Sequence, residues 1–285
     1  IKENIIFEKA KNKNTINALN KIYKETKNCR SKYKNLLLDG GFYNLGYFYR
    51  LQLIRSALKS TQTKENAFIW DCNIKVCRHL LKSIGIQNIS FLKKKYDPNL
   101  LAKADYLTQK ITSKKDLLRI KLPHLIPGLY LYDMILKIQR KAAVDISDKN
   151  LKDYIYKFLY WIKFSEDLLN KCKPDIVILS HSISYQCTPL AWIAAKRKIP
   201  TIILGGDFGI PRLWKIIKPN DIFLGTGRPT KKDFKNIPLK KKSSLIFTGK
   251  KYIINRISGN SSDISAKYAY QGKQDKISKL GIDPK

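Results

Sequence analysis

Three short stretches place proton-moving side chains beside backbone that a ligand can approach: Asp39-Gly40-Gly41, Ser180-His181-Ser182 and Gly205-Gly206-Asp207. A carboxylate ahead of paired glycines suits a general base acting on a hydroxyl, because glycine leaves room for the substrate. Asp39 is the leading candidate for that base. His181 could be a second base, or a hydrogen-bond donor to a phosphate or hydroxyl. Gly40, Gly41, Tyr43, Asn44, Ser180, Ser182, Gly206 and Asp207 would line the substrate side. A quieter role competes at each position. Asp39 and Asp207 also suit a turn or a helix cap, His181 a packed ring satisfied by backbone, and Tyr43 the core.

Each stretch follows a strand signal. Ile176–Leu179 and Thr201–Leu204 are continuous apolar runs, rich in β-branched residues and bounded by turn residues, as in strands covered on both faces. Between them Pro189–Lys198 carries Leu190, Ala191, Ile193, Ala194 and Ala195 at helical spacing, which makes a βαβ unit with a right-handed crossover. Tyr33–Leu38, the Gly-Gly turn and a helix through Leu58 behind an Asn44 cap open another such unit. Ala67–Trp70 and Ile89–Leu92 read as strands around a helix over about 73–83 that ends at Gly85. Residues 98–172 carry helical patterns alone, over about 98–110, 128–141 and 150–171, the last behind an Asn150 cap. Pro211–Ile217 reads as helical, Asp221–Leu224 as a sixth strand, and Leu245–Thr248 as one more.

The expected fold class is α/β, a doubly wound and mostly parallel Rossmann-like sheet with a helical insertion between strands three and four. In the order 3-2-1-4-5-6, strands one and four are neighbours where the winding reverses, and the three stretches face one crevice.

Composition narrows the function. With 285 residues, 44% hydrophobic and 11% aromatic, the chain can bury a sizeable core. The glycines at 40, 41 and 46 do not match a dinucleotide fingerprint, and Gly-Lys-Ser/Thr and Gly-x-Ser-x-Gly are absent. The five cysteines (Cys29, Cys72, Cys77, Cys172, Cys187) are irregularly spaced, which favours reduced thiols over a disulfide framework or zinc site; no metal is expected. A net charge of +34, mostly lysine and spread over nearly every segment, fits a solvated basic surface first. Acidic lipid headgroups or an anionic polymer come next, and specific nucleic-acid binding last. No run approaches the ~20 apolar residues of a membrane-spanning helix. The chain starts at Ile1 and stops at Lys285, and it reads as a fragment.

Four pieces resemble the N-terminal half of a GT-B-type glycosyltransferase of the capsule and surface-polysaccharide group. They are Asp39-Gly-Gly-Phe-Tyr-Asn-Leu-Gly-Tyr-Phe-Tyr-Arg50, Lys173-Pro-Asp-Ile-Val-Ile-Leu-Ser-His-Ser182, Ile199-Pro-Thr-Ile-Ile-Leu-Gly-Gly-Asp207 and Ser258-Gly-Asn-Ser-Ser-Asp-Ile-Ser-Ala-Lys-Tyr-Ala-Tyr270. The resemblance spans about residues 33–285. It implies an N-terminal Rossmann-like domain that holds a glycan or lipid-linked acceptor. It also implies a second such domain that holds most of the nucleotide-sugar, the donor substrate, with no further cofactor. Residues 1–30 would then be a polar helical segment, 31–250 the acceptor-side domain with its insertion at 98–172, and 251–285 a linker into a missing donor-binding domain. Asp39 and His181 inherit acceptor-side roles, the setting is the cytoplasmic face of the membrane, with an anionic membrane surface as a possible partner, and the fragment alone is inactive. The alternatives are a GT-B-like epimerase or sugar-phosphate polymerase, or a non-enzymatic basic module that binds nucleic acid or a membrane surface.

Overall fold

The computed structural model describes residues 13–25, 33–42, 44–58, 60, 62–70, 74–92, 96–141, 143–182, 186–205, 212–224 and 234–258. The chain divides into two units, Ile1–Gly227 and Arg228–Lys285.

The first unit carries a six-stranded sheet in the order β3-β2-β1-β4-β5-β6. Its strands are β1 (Asn35–Asp39), β2 (Lys64–Ile69), β3 (Asn88–Phe91), β4 (Ile176–Leu179), β5 (Thr201–Gly205) and β6 (Arg212–Ile216). The first five run parallel and β6 pairs antiparallel with β5. The fold is α/β and Rossmann-like, and β1 and β4 are neighbours at the reversal of winding.

Side chains alternate across each strand and so feed two cores. Leu36, Leu38, Ala67, Ile69, Ile176 and Ile178 point to the face covered by α1 (Lys13–Glu25), α2 (Leu45–Leu58) and α3 (Ile74–Ser83). Leu37, Phe68, Val177, Leu179 and Ile203 point to the other face. That face is covered by the insertion, namely α4 (Pro98–Gln109), α5 (Lys114–Arg119), a 3-10 turn at Pro123–Leu125, α6 (Gly128–Gln139) and α7 (Leu151–Cys172), and by α8 (Cys187–Lys196). The 98–172 stretch therefore packs as a helical layer on one face, as its long α7 stripe of Leu151, Ile155, Phe158, Leu159 and Ile162 requires.

Local chemistry fixes the helix ends. Asn44 Oδ1 accepts from Tyr47 N at 3.2 Å and starts α2. Asp97, with Pro98 at the first helical position, caps α4, and a Ser113/Asp116 capping box starts α5. Gly85, at φ +85°, takes the left-handed position beyond α3. Behind α2 the guanidinium of Arg55, 1% exposed, bonds Glu65 on β2, Gln52 (2.8 Å) and the Ile84 carbonyl (2.6 Å).

Four sequence expectations are corrected. Pro211–Ile217 contains strand β6, whose Trp214 and Ile216 turn inward while Leu213 and Lys215 stay exposed, a period of two. Asp221–Leu224 is a short helix, α9, because Asp221 Oδ2 accepts from the Ile217 and Lys218 amides and closes a turn before it. Leu245–Thr248 lies inside α10 (Leu239–Ile257), the helix of the second unit, which runs through the boundary expected at 250. Asn150 precedes α7 without a side-chain capping bond; its own amide is held by Asp148 Oδ1 at 2.9 Å. No helix among the described residues is long and apolar enough to cross a membrane.

Candidate functional site

The tips of β1 and β4 are tied together by one carboxylate. Asp39 is 1% exposed. Its Oδ1 accepts from Gly41 N at 2.9 Å. Its Oδ2 accepts from Ser180 N at 3.1 Å, from Ser180 Oγ at 2.6 Å and from the Cys187 thiol at 3.5 Å. The Asp39 carbonyl accepts from Tyr47 OH at 2.6 Å. Burial, reinforced by Asp39, pushes that phenol well above its ordinary pKa, so it remains a donor. The room left by the paired glycines is already filled. A Cβ at Gly41 would lie 2.6 Å from Trp70 Cδ1, and one at Gly40 2.4 Å from Leu81 Cδ1. The carboxylate that the sequence offers as a base thus has both oxygens engaged by protein donors.

The next group along the chain is differently placed. His181 Nδ1 lies 2.9 Å from Ser180 Oγ, and His181 is exposed. A carboxylate only accepts, so the single Ser180 hydroxyl proton goes to Asp39 Oδ2, the shorter contact. The Ser180 oxygen then accepts from Nδ1–H, and the neutral ring keeps its lone pair on Nε2. Phe42 packs edge-on against the imidazole, ring centroids 4.8 Å apart. Although the residue as a whole is exposed, protein atoms crowd its ring, and that partial loss of water, above all, holds the His181 pKa below its ordinary value. Asp39 opposes the shift and Lys137 adds to it. The array Asp39–Ser180–His181 delivers a neutral, oriented imidazole at the carboxyl edge of the sheet.

A groove of ≈ 480 Å³ is lined by Tyr96, Asp97, Tyr160, Lys163, Phe164 and Asp167, from the segment after β3 and from α7. Trp70 packs edge-on against Phe164 of the groove, ring centroids 5.6 Å apart, and also fills the space above Gly41. Lys163 Nζ and Asp97 Oδ2 pair at 2.6 Å, which lowers the carboxyl pKa and raises that of the amine. Asp97 also receives the Asn99 and Leu100 amides, at 3.1 and 3.2 Å. Aromatic rings beside charged hydrogen-bonding groups suit a polyhydroxylated ring, whose C–H face stacks while its hydroxyls bond the rim.

Of the residues singled out in sequence, Asp39, Gly40, Gly41, Ser180 and His181 meet at one point. Asn44 caps α2, and Ser182 is buried with its carbonyl accepting from Thr188 Oγ1 at 3.0 Å. Tyr43, Gly206 and Asp207 lie outside the described residues. Sequence reading missed Tyr47, Trp70 and Cys187, and it missed the groove. Tyr160, Lys163, Phe164 and Asp167 did leave a signal there: they fall at i, i+3, i+4 and i+7 of α7, a stripe too polar for core. No group of three or more His, Cys, Asp or Glu side chains among the described residues could hold a metal ion. Comparison with family models, with curated proteins and with solved structures finds no match to this chain.

Proposed function

We propose that the chain supplies the acceptor side of a sugar transferase, with His181 as the proton acceptor and Asp39 and Ser180 as the residues that position it. The observation that carries this reading is the hydrogen-bonded path from buried Asp39 Oδ2 through Ser180 Oγ to His181 Nδ1, at the sheet edge where open α/β folds bind ligands. An acceptor hydroxyl gives its proton to Nε2 while its oxygen attacks the anomeric carbon of a nucleotide-sugar. The glycosidic C–O bond forms, and the bond to the nucleotide diphosphate breaks with its electron pair leaving on phosphate. A ring with a lowered pKa is unprotonated near neutral pH and ready for that step. The aromatic groove beside Trp70 gives a glycan acceptor a surface to lie on.

The test uses the intact gene product with labelled nucleotide-sugars and oligosaccharide acceptors. Label transfer to the acceptor is expected, with at least a ~100-fold loss in His181→Asn, the usual size of a general-base contribution, and an unchanged far-ultraviolet spectrum. Full transfer by His181→Asn, or conversion of the donor at the same rate without acceptor, overturns the reading. The second outcome would favour an epimerase.

A further inference from the structure

Helix α10, in the second unit, carries a surface with two chemistries. Its sequence, LKKKSSLIFTGKKYIINRI, contains no acidic residue. At 3.6 residues per turn, Leu239, Ile246, Phe247, Ile253 and Ile254 occupy about a third of the circumference. All five are exposed, Leu239 by 82% and Phe247 by 71%. Lys240, Lys241, Ser244, Thr248, Lys251 and Asn255 fill the opposite sector, and Lys242 flanks the apolar one. Ser243 and Lys250 also fall within the apolar arc, where the four-carbon stem of Lys250 can lie along the aliphatic surface and carry the ammonium outward. Exposed Leu245 and Tyr252 lie outside it.

We propose that α10 lies in the plane of an anionic lipid bilayer, its Leu-Ile-Phe sector among the acyl chains and its lysines at the headgroups. A basic amphipathic helix of this length is built for that position. Charge selects the occupant. A second copy of the chain also carries +34, and residues 259–285 hold five lysines against three aspartates, so neither complements a cationic helix. A nucleic acid would complement the lysines but gains nothing from Ile246, Phe247, Ile253 and Ile254, which a bilayer removes from water. The proposal stands apart from the sugar-transfer reading, because binding is measured without turnover.

The experiment is vesicle sedimentation of the full chain on phosphatidylcholine alone and on phosphatidylcholine mixed with phosphatidylglycerol. Binding is expected on the anionic vesicles only, weakening as salt rises from about 0.05 M to about 0.5 M and the Debye length shrinks. Lys240→Gln, Lys241→Gln and Lys242→Gln together should lower the partition about 100-fold. Phe247→Ser with Ile254→Ser should lower it about 100-fold or more. A Phe247→Trp chain should show emission shifting to the blue as vesicles are added, beyond any shift in the parent chain. Equal binding to both vesicle types, no extra blue shift in the Phe247→Trp chain, or undiminished binding by the Phe247→Ser/Ile254→Ser chain overturns the proposal. Binding of poly(U) that competes fully with vesicles and ignores the two apolar substitutions would assign the helix to nucleic acid instead.

Discussion

Removing the Asp39 side chain tests whether this carboxylate is a working base or the clasp between two strands. In Asp39→Ala the buried amides of Gly41 and Ser180 lose their acceptor together. A buried donor left unpaired costs about 1–3 kcal/mol, so the two together cost about 4 kcal/mol. In Asp39→Asn the amide oxygen takes the Oδ2 position, because three donors converge there, and the NH2 group faces Gly41 N. One amide is then stranded and the other bonds lose their charge assistance, for about 2–3 kcal/mol. Urea unfolding at a pH of about 8, where histidine is neutral in both states, reads these numbers directly.

The same pair of variants reports on the imidazole. With alanine at 39 the Ser180 hydroxyl is free to donate to His181 Nδ1, which leaves the proton on Nε2 and removes the outward lone pair. Asparagine keeps an acceptor in place and so keeps the Nδ1–H form. Nitrogen-15 correlation spectra of the ring distinguish the tautomers. Wild-type protein with its proton on Nε2, or an Asp39→Ala chain that loses less than about 1 kcal/mol, would refute the reasoning.

Two further outcomes follow from buried charge. The His181 pKa is lowered in the folded chain, so below its ordinary value the unfolded state binds the extra proton; the stability this group contributes is complete above that value and is lost as pH falls through the lowered pKa. Unfolding free energies against pH should show that acid-side slope, and His181→Asn should flatten it; an identical slope in the variant removes His181 as its source. Arg55→Met leaves the Glu65 carboxylate buried without its bidentate partner and should cost about 3–5 kcal/mol. Adding Glu65→Leu should restore much of that loss in the same urea assay, and no restoration would point to packing rather than charge.

How far sequence carries the fold is visible in these particular elements. Strands β1, β4 and β5 bury a face on either side, and their runs of Leu, Ile and Val read as strands. Strand β2 offers only Ala67, Phe68 and Ile69, and the order β3-β2-β1-β4-β5-β6 is the one supposed for a doubly wound sheet. The failures sit at the margin. Strand β6 is an edge strand with Leu213 exposed, and its short alternation passes for helix; α9 has four residues and offers no period at all. The site divides in the same way. Spacing brings Asp39, Ser180 and His181 to adjacent strand tips once the order is known, but spacing is silent on how many donors a carboxylate meets. Trp70 above Gly41, Tyr47 under the Asp39 carbonyl and Cys187 at the start of α8 all arrive from elsewhere in the chain, and they turn an apparent base into a buried acceptor. The imidazole gains what the carboxylate loses: exposure, a fixed tautomer and a pKa on the useful side of neutrality. A strand-tip acid followed by glycines is therefore weak grounds for naming a base until the donors around it are known, whereas a histidine tethered to such an acid through serine remains available for chemistry.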